Sequence, residues 1–148
     1  MSRLLEQLEK LVQELEGMDP DVRAAVLIEY ADQFVAVPAE IARRPYPEEH
    51  RVPACESEAY VWAQDGPQGA LKFHFAVENP QGISAKALSV ILAQTVSGQK
   101  AADVAAVTPA IVNRIFGREL SMGKGAGLQG IVNMVTAEAR KRLISRHG

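Results

Sequence analysis

Apolar residues recur every three or four positions near the amino terminus and every second position at mid-chain, and this change of period divides the sequence. Leu4, Leu5, Leu8, Leu11, Val12 and Leu15 share one face of a helix predicted from Ser2 to Glu16, while Glu6, Glu9, Lys10, Gln13 and Glu14 face water. Gly17 offers a left-handed stop. Asp19 as cap and Pro20 at the first helical position open a second helix. Its predicted buried face is Val22, Val26, Leu27, Tyr30, Ala31 and Phe34, and it fades near Ala36, ahead of Pro38. So short a turn predicts an antiparallel or sharply angled helix pair. Residues Val37 to Pro53 read as loop, with one helical turn offered by Ala39 to Ala42. A loop of that length is either functional or a proline-stiffened crossover to a sheet.

From Ala59 to Gln64 the period becomes two, with Tyr60 and Trp62 on one face and Val61 on the other. Asp65 to Gly69 is a turn cluster. Leu71, Phe73, Phe75 and Val77 then alternate with Lys72 and His74, the clearest strand pattern in the chain. One face of this hairpin is expected to pack on helices and the other to be partly wet. Two strands alone are marginal, so a third is expected, through Val52 to Cys55 or near Asn79 to Ile83. Ser84 caps a predicted helix whose Ala87, Leu88, Ile91, Leu92 and Thr95 share a face and which stops at Ser97-Gly98. A short helix is allowed over Gln99 to Ala106. Thr108-Pro109 opens another, running through Phe116 to Gly117. Gly123 to Gly127 reads as a glycine-rich link to a last helix carrying Leu128, Ile131, Val132, Val135, Ala139 and Leu143. That helix ends in Arg140, Lys141, Arg142, Arg146 and His147, cations suited to a helix C-terminus. The layout is α+β: a small antiparallel sheet of about three strands covered by helices, in one domain over residues 1–148.

Composition narrows the class. The 148 residues are 47% hydrophobic and 23% charged, with a formal net charge of −2, so the chain is neither disordered nor a basic nucleic-acid binder. Acids at Glu6 and Glu9 break any signal-peptide core, and no apolar run is long enough to span a bilayer, so the expectation is a cytoplasmic protein away from membranes. One cysteine excludes an internal disulfide.

That cysteine, Cys55, follows Pro38, Pro45, Pro47 and Pro53 and precedes the first strand, so it sits where a loop enters the sheet. An isolated cysteine is commonly a small buried hydrophobe. Here Glu56, Ser57 and Glu58 give it polar flanks instead. At the ordinary thiol pKa of about 8.5 only roughly 3% is ionised at pH 7. A nucleophilic role therefore asks for help from Arg51 or His50 against the acids Glu56 and Glu58. The histidines His50, His74 and His147 lack ligand spacing, so no metal is expected. A Cys–His hydrolase would have to use His74. Lys124 in the glycine-rich stretch favours an anion at a helix start, although the stretch lacks Walker spacing and a preceding strand.

These residues, taken in order, resemble the SufE family of iron–sulfur cluster assembly proteins. The resemblance rests on Leu27-Ile28-Glu29-Tyr30-Ala31, the proline-rich link, Arg51-Val52-Pro53-Ala54-Cys55-Glu56-Ser57, the hairpin and the later helices. Its most specific part is Arg51, Val52, Cys55 and Ser57. The chain departs from the family at Ala54 (usually Gly), at Glu56 and Glu58 (usually Gln), and at Tyr60 (usually Trp, here found at Trp62). Lys124 and Gly127-Leu128 look like the counterparts of a family Arg and a polar-Gly-Leu run, and Lys lacks the forked donor of Arg.

The resemblance implies a SufE/IscU-like fold, no cofactor, and a sulfur carrier more than an enzyme. Cys55 would accept sulfur from the persulfide of a pyridoxal-phosphate cysteine desulfurase of the SufS kind, stimulate that enzyme, and pass the sulfur to an iron–sulfur scaffold complex. Arg51, Glu56, Ser57, Glu58 and Lys124 would meet the partner. A homodimer stays open. The competing readings are a non-covalent anion or metabolite module at Lys124 and a hydrolase using His74.

Overall fold

Two strands with the expected alternation form the centre of the fold: β1, Ala59–Asp65, and β2, Ala70–Val77, paired antiparallel with Trp62 opposite His74. The structure is a computed structural model that describes residues 3–147 apart from 54, 118 and 119, without the side chains at 3–5, 146 and 147. The expectations at Ser2, Leu4, Leu5, Ala54, Arg146 and His147 fall outside the described residues to that extent.

The helices are α1 (Arg3–Glu16), α2 (Pro20–Asp32), α3 (Ile83–Val96), α4 (Ala101–Ala105), α5 (Ile111–Phe116) and α6 (Met122–His147). Together with the sheet they make the expected α+β fold. The third strand is β3, Gln99–Lys100, which pairs with Ala70 and Leu71 on the far side of β2. It is neither of the two segments expected. Gly98, at φ 88, turns the chain back from α3 onto the sheet, and its N–H donates to Leu71 O at 2.7 Å. Just ahead of the first of those segments, Arg51 forms an isolated bridge to Tyr60, and Val52 N–H bonds Ala59 O without extending the ladder.

One sheet face, with Ala59, Val61, Leu71, Phe73, Phe75 and Val77, joins the main core with α3 and α6. Nearly every side of α3 is buried, and its buried hydroxyls are satisfied within the helix: Ser89 Oγ donates to Ala85 O and Thr95 Oγ1 to Ile91 O. Gly82, not Ser84, precedes its first turn. Leu8, Val12 and Leu15 of α1 are buried as the pattern predicts. However, α1 packs chiefly on α5 and α3, and α2 on α3, so the first two helices are not each other's main partners. Helix α2 also ends at Asp32, earlier than expected, because the chain straightens so that Val37 N–H can donate to Phe75 O at 2.8 Å on the edge of β2. Val22 is exposed rather than buried.

The other sheet face is drier than expected. Tyr60, Trp62 and Ala76 lie under Val37, Ile41, Ala42 and Tyr46. The Tyr46 ring centroid is 5.2 Å from those of both Tyr60 and Trp62, and His50 stacks on Trp62 at 5.1 Å. The long loop is thus the lid of this face. Gln64, Lys72 and His74 keep its far half polar.

Candidate functional site

Cys55 stands at the seam between the lid and the helices. Val52 N–H donates to Ala59 O at 2.9 Å, which brings the chain alongside β1 before it turns away. A tight turn follows, closed by Glu58 N–H donating to Cys55 O at 3.0 Å. Glu58 takes φ 53, a left-handed conformation that costs a non-glycine residue about 1 kcal/mol. The turn points the thiol inward: Cys55 is only 6% exposed and belongs to the main core. Among the described residues its sulfur makes no hydrogen bond.

The seat beneath it is glycine. A Cβ built on Gly127 would stand 3.3 Å from Cys55 Cα and 3.4 Å from its Sγ, and one on Gly130 would stand 2.7 Å from Val52 Cγ1. Gly123, Gly127 and Gly130 lie at i, i+4 and i+7, on one face of α6. The expected glycine-rich link is therefore the opening of the helix itself. Ser121 caps it, its Oγ accepting from Lys124 N–H at 3.2 Å. The helix begins early because those glycines let the cysteine turn approach its backbone.

From the opposite side the turn is tied to the β2–α3 connection. Asn79 N–H donates to Ser57 O at 3.2 Å, Glu78 N–H to Glu58 O at 3.1 Å, and Asn79 Nδ2 to Glu56 O at 3.0 Å. Gly82 gives the room, since a Cβ there would stand 3.0 Å from Ser57 Cβ. Asn79, Gly82, Gly127 and Gly130 thus belong to the site. The residue pattern alone marks none of the four as a site residue, and the resemblance names Gly127 without a role, though the spacing of Gly123, Gly127 and Gly130 is a readable signal for close approach to a helix face.

The two residues expected to help the thiol are engaged elsewhere. His50 Nδ1 donates to Val61 O at 3.0 Å and its ring lies on Trp62, on the lid side of the sheet. Arg51 lies opposite Tyr60, and cross-strand partners share a face, so its side chain also points to the lid side, 3.8 Å from Glu48 Oε1. His74 alternates away from the core face that holds Cys55. Its Nε2 is 3.1 Å from Gln64 Oε1, and burial, with Lys72 nearby, lowers its pKa below 6.5. Glu56, Glu58 and Lys124 are exposed around the turn, and Ser57 is half-buried. A Cβ built on Gly123 would stand 3.9 Å from Glu56 Oε1, so a carboxylate already lies by the positive end of α6. Among the described residues no group of three or more His, Cys, Asp or Glu side chains could hold a metal ion, and no helix is long and apolar enough to cross a membrane.

Comparison with known proteins gives the chain a family and its fold a counterpart. The family model described as SufE, Fe-S metabolism associated domain, matches residues 9–139. No curated protein matches the chain. A solution structure of a hypothetical protein from Thermus thermophilus is similar over 93% of this chain and 96% of its own, with a TM-score of 0.69 and 24% identity, a likeness of fold.

Proposed function

Since the chain belongs to the SufE family, the Fe-S metabolism associated domain, we propose that it accepts sulfur on Cys55 from a pyridoxal-phosphate cysteine desulfurase, stimulates that enzyme, and relays the sulfur to iron–sulfur cluster assembly. The observation that carries this reading is the placement of the chain's one cysteine in a tight turn with exposed polar flanks, seated on a glycine face. Cys55 gives its proton to solvent and its thiolate attacks the outer sulfur of the donor's persulfide. The donor's S–S bond breaks, its cysteine leaves as thiolate, and Cys55 becomes the persulfide. A second thiolate on the recipient repeats the exchange.

A thiol 6% exposed cannot meet another protein's sulfur, so the turn leaves its seat in the transfer complex. The partner then supplies the cationic surroundings that His50 and Arg51 do not give the closed turn. Glu56, Glu58 and Lys124 form the exposed rim for that partner, with Arg51 half-exposed behind it and Ser57 inside the turn. Glu56 and Glu58 ask for a basic partner surface. The same Glu56 carboxylate disfavours the alternative, an anion held at Lys124. The facing of His74 disfavours the hydrolase.

The test is to incubate the protein with a desulfurase of the SufS kind and cysteine, then record intact mass. Wild type should gain sulfur that a thiol reductant removes. Cys55→Ser should gain none and should lose stimulation of sulfide release. Equal stimulation by both proteins, with no sulfur on Cys55, would overturn the reading.

A further inference from the structure

The cysteine turn is held on one side by packing and on the other by hydrogen bonds, and one side chain stands out in the second set. Asn79 Nδ2 donates to Glu56 O at 3.0 Å while its Oδ1 accepts from Gln81 N–H at 2.9 Å. The two bonds fix the amide's orientation, since an N–H needs the oxygen and a carbonyl needs the nitrogen. Among the described residues it is the only side chain that bonds residues 55–58. Across the turn, Glu58 at φ 53 favours release. A strained turn with a single side-chain tie is built to open locally.

We propose that Asn79 is a positioning residue, a latch whose bond to Glu56 O sets the fraction of molecules that present Cys55. This rests on the reading of Cys55 as sulfur acceptor. A partner that needs the open turn binds more weakly in proportion to the closed fraction. Releasing the latch therefore lowers the concentration of acceptor that half-saturates the desulfurase and leaves the maximal rate alone.

Because the chain has one cysteine, alkylation by excess iodoacetamide reads the opening of this turn without background. Asn79→Ala should be alkylated about fivefold faster than wild type, the weight of one hydrogen bond. Asn79→Asp keeps the acceptor for Gln81 N–H and loses the donor to Glu56 O, so it should match Asn79→Ala. Arg114→Ala, which releases Glu9 and Glu16 far from the turn, controls for general loosening and should leave the rate unchanged. The latch is overturned if Asn79→Ala and Asn79→Asp alkylate like wild type, if only Asn79→Ala accelerates, or if Arg114→Ala accelerates as much. It is also overturned if alkylation accelerates while the half-saturating concentration in desulfurase stimulation stays put. Acceleration in a protein that never takes up sulfur would keep the latch and sink the acceptor reading instead.

Discussion

The two halves of α6 are held by opposite means. Residues 131–143 are a good amphipathic helix: Ile131, Val132, Val135 and Ala139 are buried, and Arg142 bonds both Glu138 Oε2 at 2.7 Å and Asp65 Oδ1 at 2.9 Å. The first half carries Gly123, Gly125, Gly127 and Gly130, each about 1 kcal/mol less favourable in a helix than Ala. It is helical because Ser121 caps it and because Val52 and Cys55 pack on it. One half is helical by its own sequence and positions the strand. The other is helical by contact, so its fate is coupled to the cysteine turn.

The second half is most vulnerable at Arg142. Its side chain is 19% exposed, and it also donates to Ala63 O at 3.3 Å, clamping the last turns to β1. Arg142→Ala leaves Glu138 and Ala63 O short of partners and should cost about 2 kcal/mol. Urea unfolding measures it; a loss under about 0.5 kcal/mol, the surface range, would mean the clamp does little. Thiol alkylation at low denaturant should stay near wild type, because this half is not the seat.

In the first half, Gly130→Ala should be the costly change. Its Cβ would meet Val52 Cγ1 at 2.7 Å, and Val52 is fully buried and stiff at χ1. Overpacking of about 1–3 kcal/mol, reduced by the helical gain of roughly 1, leaves a net loss near 1 kcal/mol. Unlike Arg142→Ala, it should raise Cys55 alkylation out of proportion to the stability lost, since Val52 would have to move. Equal alkylation in the two variants would erase the distinction between the halves.

What could be read in advance divides along the same line. Period-two alternation at Tyr60–Trp62 and Leu71–Val77, and period 3.6 at Leu8–Leu15 and Leu128–Leu143, are local signals, and those elements stand where predicted. So does Cys55, at the mouth of β1. Helix over Gly123–Gly130 is chosen by a partner fifty and more residues away, which no local pattern reports. Strand β3 is too short to show a period. The lid over Trp62 is built from a proline-rich segment whose role comes from aromatic contacts across space. The resemblance singled out Gly127-Leu128 without a reason; close approach to Cys55 is that reason.

Gly125→Ala separates propensity from seating. A Cβ there meets nothing within 4 Å, and its φ is helical, so Ala should stabilise the protein by about 0.5–1 kcal/mol. Because the helical first half is also the seat, the same variant should slow alkylation of Cys55 by about the same free energy. Stabilisation with an unchanged alkylation rate would show that the seat forms independently of the helix beneath it.

Acid makes the finest distinction. Burial alone would raise the Glu138 carboxyl, but hydrogen bonds from Arg142 and Lys141 outweigh it and hold the pKa below 4.5. Hydrogen bonds from Arg114 likewise lower Glu9 and Glu16. A carboxyl lowered on folding binds fewer protons in the folded state than in the unfolded chain. Its contribution is therefore full above pH 4.5 and is lost as pH falls through the folded value. The groups are partly exposed, so each share is small. Stability measured from pH 6 to 3 should decline more gently in Glu138→Gln than in wild type, because one of the three carboxyls no longer titrates. Gly125→Ala changes no such group and should give a curve displaced upward and parallel. A Glu138→Gln curve parallel to wild type would take the charge clamp out of the second half and leave its apolar face as the whole of its hold.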